Sequence, residues 1–130
     1  MIVGYAYVVG DILHVGHLLH LRNCKRLCDR LIVGVLTDEA AMEKKDRPTI
    51  PFEQRIQLVA AIKYVDAAVA QNTYLPVDNI YDLKPDILFE CATHEEKRYP
   101  IFEMYGGRVI AMPYYPEQSS THIKETIRGT

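Results

Sequence analysis

The sequence predicts an α/β fold, a doubly wound parallel sheet of five strands. Two features carry that reading. Short apolar runs alternate along the whole chain with helix-period segments of about a dozen residues, the pattern of a β-α-β-α series. One of those runs, Leu31–Leu36, is apolar almost without a break, which suits a parallel strand covered on both faces.

The elements follow in order. Ile2–Val9 reads as the first strand and runs into Gly10-Asp11. His17 to about Asp29 reads as a helix, with Leu18, Leu21 and Leu27 at core spacing. Leu31–Leu36 is the second strand. Glu39–Arg47 is polar, bears lysines and has no strong periodicity; Pro48 and Pro51 punctuate it. Phe52–Val65 is a helix with Ile56, Val59, Ala60 and Ile62 facing inward. Ala67–Ala70 is a short third strand, Pro76–Leu83 a short helix and Asp86–Phe89 the fourth strand. Glu95–Tyr105 is a further helical segment carrying Pro100. After the Gly106-Gly107 turn comes the fifth strand, Arg108–Met112. A last helix follows over Ser120–Arg128, with Ser119 or Ser120 as its N-cap. In such sheets the ligand crevice lies at the carboxyl ends of the strands. The loops after strands one and five are therefore the expected site.

Bulk properties narrow the function. The chain has 130 residues, one domain's worth, with 48% hydrophobic and 25% charged residues. A net charge of -2 and the lack of any basic tract argue against a nucleic-acid partner. No apolar run approaches the ~20 residues of a membrane helix. The N-terminus does not read as a secretory signal, so a cytoplasmic location is expected. Cys24 and Cys28 lie one helical turn apart and read as small apolar residues on a buried helix face. With Cys91 they make three cysteines, without zinc-type spacing and odd in number, so no metal site or disulfide framework is expected.

The chemistry concentrates in Gly10-Asp11-Ile12-Leu13-His14-Val15-Gly16-His17. This segment leads from an apolar strand into a helix. A helix N-terminus presents backbone N–H groups and partial positive charge to a phosphate. Gly16 permits close approach to the backbone. Two imidazoles at that point can donate to a triphosphate and stabilise the extra charge of a crowded phosphorus. A lone His-x-Gly-His is short, and its alternatives are surface histidines or a metal pair lacking a third ligand.

Four stretches together resemble the cytidylyltransferases of the HxGH nucleotidyltransferase superfamily, the glycerol-3-phosphate branch above all. They are Gly10–His17; Leu36-Thr37-Asp38-Glu39 with Lys44 and Lys45; Glu53-Gln54-Arg55 with Tyr64-Val65-Asp66; and Ser119-Ser120-Thr121-His122-Ile123-Lys124. The resemblance implies a Rossmann-like HxGH nucleotidyltransferase fold over residues 1–130. It implies transfer of CMP from CTP to a small phosphate or phosphonate, with release of pyrophosphate. By that resemblance His14 and His17 bind the CTP phosphates and stabilise the transition state, and Asp11 orders their loop. Lys44 contacts phosphates. Val9, Gly10 and Gly16 border the nucleotide, and Ser119, Ser120 and Thr121 close on the triphosphate. Arg55, Lys45 and Tyr114 face the acceptor. Magnesium is expected to bind through the nucleotide phosphates rather than a protein cage. A homodimer is expected as well.

Departures from the family pattern bear on the acceptor. Tyr114-Tyr115-Pro116-Glu117-Gln118 replaces an Arg-Thr-x-Gly-Ile segment, which weakens glycerol 3-phosphate as the substrate. Glu90-Cys91-Ala92-Thr93-His94 replaces a Gly-Asp-Asp-Trp stretch, and Val9-Gly10 replaces Thr-Phe. The run from Pro113 to Thr121 is similar to cytidylyltransferases of phosphonate biosynthesis, some of them fused to a phosphoenolpyruvate mutase. It points to an acceptor such as 2-hydroxyethylphosphonate and admits the chain being one domain of a longer bifunctional protein. The rival readings are an adenylyltransferase on the same scaffold and a nucleotide-binding protein without catalysis. A dinucleotide module is set aside for want of Gly-x-Gly-x-x-Gly.

Overall fold

A computed structural model of the chain describes residues 1–91 and 106–113. Among the described residues nine elements follow one another: β1 Val3–Val8, α1 Val15–Lys25, β2 Arg30–Leu36, α2 Asp38–Met42, α3 Phe52–Ala60, β3 Ala67–Gln71, α4 Val77–Leu83, β4 Ile87–Cys91 and β5 Arg108–Met112. The five strands form one sheet, all parallel, in the order β3-β2-β1-β4-β5. The doubly wound parallel sheet is as the sequence predicts.

The order has a functional meaning. The chain builds outward from β1 through β2 to β3, then crosses back to place β4 on the other side of β1. The winding therefore reverses between β1 and β4, which opens a crevice at their carboxyl ends. The carboxyl ends of β1 and β4 border that crevice, and the loop expected after the fifth strand lies outside the described residues.

Alternation of side chains sorts the core onto two faces. Ala6, Leu31, Val33, Val35, Ile87 and Phe89 pack with Leu21 and Cys24 of α1 and Val59 of α3. On the opposite face Tyr5, Ile32 and Leu88 meet Ile80 of α4. Every residue of Leu31–Leu36 is buried, as its unbroken apolar run requires.

The helices differ from the sequence reading in register and length. α1 begins at Val15, because His14 caps it, and ends at Lys25. Its buried positions are Gly16, Leu21 and Cys24, while Leu18 and Leu27 are 43% and 47% exposed. Of the three leucines only Leu21 faces inward, and the small residues Gly16 and Cys24 take the other buried positions. α2 arises where no periodicity was visible: Thr37 Oγ1 accepts from Ala40 N at 3.1 Å and starts a five-residue helix. α3 stops at Ala60, which is exposed, yet Ile62 and Val65 still pack on the core from the turn that follows. Asp66 then accepts from Leu31 N at 2.7 Å and pairs with Lys25 at 2.6 Å, fixing the entry to β3.

A buried polar group stiffens the α4 face. Tyr5 Oη donates to Gln71 Oε1 and accepts from Asn79 Nδ2, and Asn79 Nδ2 also donates to Ala70 O. Burial pushes the Tyr5 phenol well above its ordinary range. The ring needs room across β2, and Gly34 provides it: a Cβ there would stand 1.9 Å from Tyr5 Oη. Gly34→Ala is expected to push the ring off its partners and cost at least about 1–3 kcal/mol. Urea unfolding with an unchanged slope and a lower midpoint would show it; an unaltered midpoint would contradict the packing described.

Candidate active site

Between β1 and α1 the backbone turns sharply. Gly10 has φ 73°, and a Cβ there would come within 3.2 Å of Val59 Cγ2. Ile12 also lies in the left-handed region, at φ 53°, where a β-branched residue costs about 1–2 kcal/mol. The reward for this turn is the placement of His14 at the helix N-cap.

The two histidines close the helix start on each other. His14 Nδ1 accepts from Gly16 N at 3.0 Å, and His17 Nδ1 accepts from His14 N at 3.2 Å. The ring centroids are 4.2 Å apart, tilted by 56°. His17 N is bonded in turn to His14 O at 3.0 Å. This changes the expectation that bare helix amides receive a phosphate: Gly16 and His17 spend theirs on the motif itself. What the motif offers a ligand is imidazole N–H. With each Nδ1 acting as acceptor, a neutral ring carries its proton on Nε2. His14 Nε2 is shut off from solvent with no hydrogen-bond partner among the described residues. A buried donor left in this state is costly unless a ligand completes it.

Burial holds both rings neutral at pH 7. It lowers the pKa of His14, and it brings His17 down to about 4, with smaller contributions from the charges of His14, His20 and Lys45. The sign follows from linkage. Below pH 6.5 the unfolded chain takes up a proton at residue 17 that the folded one refuses until about pH 4. The stabilisation is therefore complete above pH 6.5 and lost as pH falls toward 4. After allowance for solvent screening at a half-buried ring it amounts to about 2 kcal/mol. Urea unfolding between pH 7.5 and 4.5 measures it. His17→Gln, which can keep the reciprocal capping bond, should flatten that part of the slope; an equal slope in both proteins would assign it elsewhere.

The other expected residues are spread around this turn. Asp11 is 2% exposed, and its carboxylate accepts from Thr49 N at 2.8 Å and Ile50 N at 2.9 Å. It orders its own loop by strapping the segment before α3 against it. Lys44 and Lys45 follow α2 on the exposed side, and the charge of Lys45 is felt at His17. Val9 is half-buried against Leu36, Ala40 and Ala41, and Gly16 is buried at the helix start.

Arg55 is a correction. The sequence reading sent it to the acceptor's phosphate, but its side chain is fully buried. Nε donates to Ile50 O at 2.8 Å, Nη1 to Val9 O and to Leu36 O at 2.7 Å, and Nη2 pairs with Asp38 at 2.6 Å. One guanidinium thus ties together the ends of β1 and β2, the start of α2 and the segment entering α3. Its five-donor fork is what such convergence needs. Tyr114, Ser119, Ser120 and Thr121 lie outside the described residues, as do His94 and the helix expected over Glu95–Tyr105.

Two residues that the sequence reading left unassigned stand at the crevice. Tyr7, near the end of β1, donates its hydroxyl to both oxygens of Glu90 on β4, at 2.7 and 3.0 Å. Glu90 is 1% exposed. A glutamate inside an apolar strand pattern was the signal available, since a buried carboxylate requires a partner.

Among the described residues no three His, Cys, Asp or Glu side chains gather as a metal site, and no helix is long and apolar enough to cross a membrane. The family profile described as cytidylyltransferase-like matches residues 10–126. The chain belongs to the cytidylyltransferase-like family. It falls within the HxGH-type nucleotidyltransferase superfamily on that ground, and its Rossmann-like fold is the one expected. This cytidylyltransferase-like chain is 36% identical to the FAD synthase of Pyrococcus abyssi, over 92% of its own length and 86% of the relative's. It is 32% identical to the D-beta-D-heptose 1-phosphate adenylyltransferase of Bordetella bronchiseptica, over 92% and 78%. It spans about a quarter of the bifunctional HldE proteins it matches, 27% for that of Gluconacetobacter diazotrophicus. Among solved structures it matches a lipopolysaccharide core biosynthesis protein from Thermoplasma volcanium GSS1, with a TM-score of 0.73 and 26% identity over 88% of this chain and 97% of the other.

Proposed function

We propose that this chain transfers CMP from CTP to the phosphate or phosphonate oxygen of a small molecule, a phosphonate such as 2-hydroxyethylphosphonate being the best fit, and releases pyrophosphate. The observation that carries the transfer chemistry is the pair of neutral imidazoles locked by the α1 backbone, with the Nε2–H of His14 buried and awaiting an acceptor. An oxygen of the acceptor attacks the α-phosphorus of the nucleotide. The bond from that phosphorus to the bridging oxygen breaks, and pyrophosphate leaves with the electron pair. No protein nucleophile is required. His14 and His17 donate to the phosphates and hold the extra charge of the crowded phosphorus, most strongly where water is excluded. Lys44 and Lys45 add positive charge from the α2 side, and Ser119, Ser120 and Thr121 extend the phosphate contacts. Mg²⁺ enters with the triphosphate and offsets its charge.

The acceptor reading is supported by the run from Pro113 to Thr121, with Tyr114 at the place of an arginine. A second reading, adenylyl transfer from ATP to a sugar phosphate, is favoured by the heptose 1-phosphate adenylyltransferase similarity. The protein acts in the cytoplasm in either case, as a homodimer and, given the HldE match, in some contexts as a unit of a longer chain. Pyrophosphate release decides, with CTP and ATP run side by side against 2-hydroxyethylphosphonate, glycerol 3-phosphate, phosphoethanolamine, phosphocholine and a hexose 1-phosphate. Turnover with CTP and the phosphonate is expected. Turnover only with ATP and the sugar phosphate would move the assignment to the second reading. No turnover with any pair, and no nucleotide binding, would leave a protein that has lost the reaction.

A further inference from the structure

With Arg55 spent on backbone carbonyls, the acceptor's anionic group lacks the cation that the sequence reading assigned to it. Strand polarity narrows the replacements. In a parallel sheet the loops that follow the strands border the crevice, and those that precede them lie at the opposite end. Among the described residues most cations stand at that opposite end: those closing α1, Lys63 and Lys84 before β3 and β4, and Arg30 and Arg108 at the heads of β2 and β5. Arg55 apart, Lys44, Lys45 and Arg47 remain, all exposed on the connection from α2 to α3. The sequence reading gave the two lysines to the substrates and left Arg47 without a role.

The three cations are not equivalent. Lys44 and Lys45 belong to the end of α2, where their amides donate to Ala41 O at 3.2 and 2.9 Å. The charge of Lys45 acts on His17, on the nucleotide-phosphate side of the site; Arg47 is not among the charges that do so. Arg47 stands two residues, at most about 7 Å of chain, from Thr49. The amide of Thr49 donates to Asp11 at 2.8 Å, in the turn that carries His14. Pro48 between them is buried, and a proline confines the residue before it to extended backbone. Arg47 is thus carried on the moored end of the connection, beside the turn of His14, with its side chain exposed. Neither ion pair described above involves it.

The chemistry of the reaction asks for an arginine here. Nucleotide and acceptor must lie side by side although both are anions. Magnesium and the lysines offset the triphosphate, so the acceptor needs a cation of its own. A phosphate ester or phosphonate presents three terminal oxygens. A guanidinium takes two of them in its fork, a geometry that an ammonium cannot give. The third oxygen is left to face the α-phosphorus, and fixing that approach favours attack.

We propose that Arg47 binds the phosphate or phosphonate group of the acceptor and orients its attacking oxygen. This rests on the nucleotidyl-transfer reading above, and it holds whichever nucleotide is used.

The test measures pyrophosphate release by wild type, Arg47→Ala, Arg47→Lys and Lys45→Ala, varying CTP and 2-hydroxyethylphosphonate in turn. If wild type prefers ATP and a hexose 1-phosphate, that pair takes their place. Arg47→Ala should raise the acceptor KM about 10- to 100-fold, the loss of a charge-assisted bidentate bond, and leave the nucleotide KM within about twofold of wild type. Arg47→Lys should recover only part of that loss. Lys45→Ala should do the reverse, raising the nucleotide KM more than the acceptor KM. The urea midpoints should match wild type, because the substituted residues are exposed. An Arg47→Ala protein with a wild-type acceptor KM, or one whose acceptor and nucleotide KM rise together, would overturn the assignment while leaving the transfer reading in place. Wild type that turns over no acceptor with CTP or ATP rejects the transfer reading and this one with it.

Discussion

Asparagine at position 14 is expected to leave the protein folded and nearly inactive. His14 does two jobs, and they separate cleanly. As N-cap its Nδ1 accepts from Gly16 N, a role that asparagine fills as well as any residue. As a donor its Nε2–H is buried beside His17 and without a partner among the described residues, a role asparagine's shorter amide does not reach. His14→Asn should therefore keep its unfolding midpoint within the error of a good cap exchange, a few tenths of a kcal/mol. Its kcat for pyrophosphate release should fall about 10²–10³-fold, the usual loss for one transition-state donor. His14→Ala would lose the same turnover and about 1 kcal/mol of stability besides. A well-folded His14→Asn protein with wild-type kcat would remove His14 from the chemistry.

The second large effect lies outside catalysis. Arg55→Met should cost about 3–5 kcal/mol, because it strips the donor from three carbonyls, Val9, Leu36 and Ile50, and leaves Asp38 without its charged partner. In a domain whose whole stability is about 5–15 kcal/mol, that brings unfolding close to working temperature. Arg55→Lys should recover little of it, since one ammonium cannot span the four acceptors. Urea unfolding reads this directly. A residue that merely met the acceptor's phosphate would behave in the opposite way: the protein would unfold like wild type, and only the acceptor KM would rise.

These two residues mark how far the sequence could be read. His14 and His17 were legible because everything that defines them is local: an apolar strand, a tight turn, a helix start and two imidazoles between Ile2 and His17. The strands were legible for a similar reason, since a strand covered on both faces must be apolar throughout, as Leu31–Leu36 is. Arg55 was not, because its role depends on carbonyls from positions 9, 36 and 50 meeting at one point, and a charged residue on a short helix ordinarily faces water. The inner face of α1 was misplaced for a third reason: leucines dominate a periodicity count, whereas two of the three buried positions are the small residues Gly16 and Cys24. Asp11 falls between the cases. Its loop-ordering role was anticipated, but its partners, the amides of Thr49 and Ile50, are almost forty positions away.

The segment between α2 and α3 has little regular structure, and such connections usually absorb insertions and deletions readily. This one is moored at its far end from two sides: the amides of Thr49 and Ile50 to Asp11, and the carbonyl of Ile50 to Arg55. A single residue added or removed next to Ile50 would shift all three bonds at once. The three bonds therefore constrain the length of the chain from Pro48 to Pro51 more tightly than that of the exposed stretch before it. A length change between Pro48 and Pro51 is expected to destabilise the protein as a core substitution does.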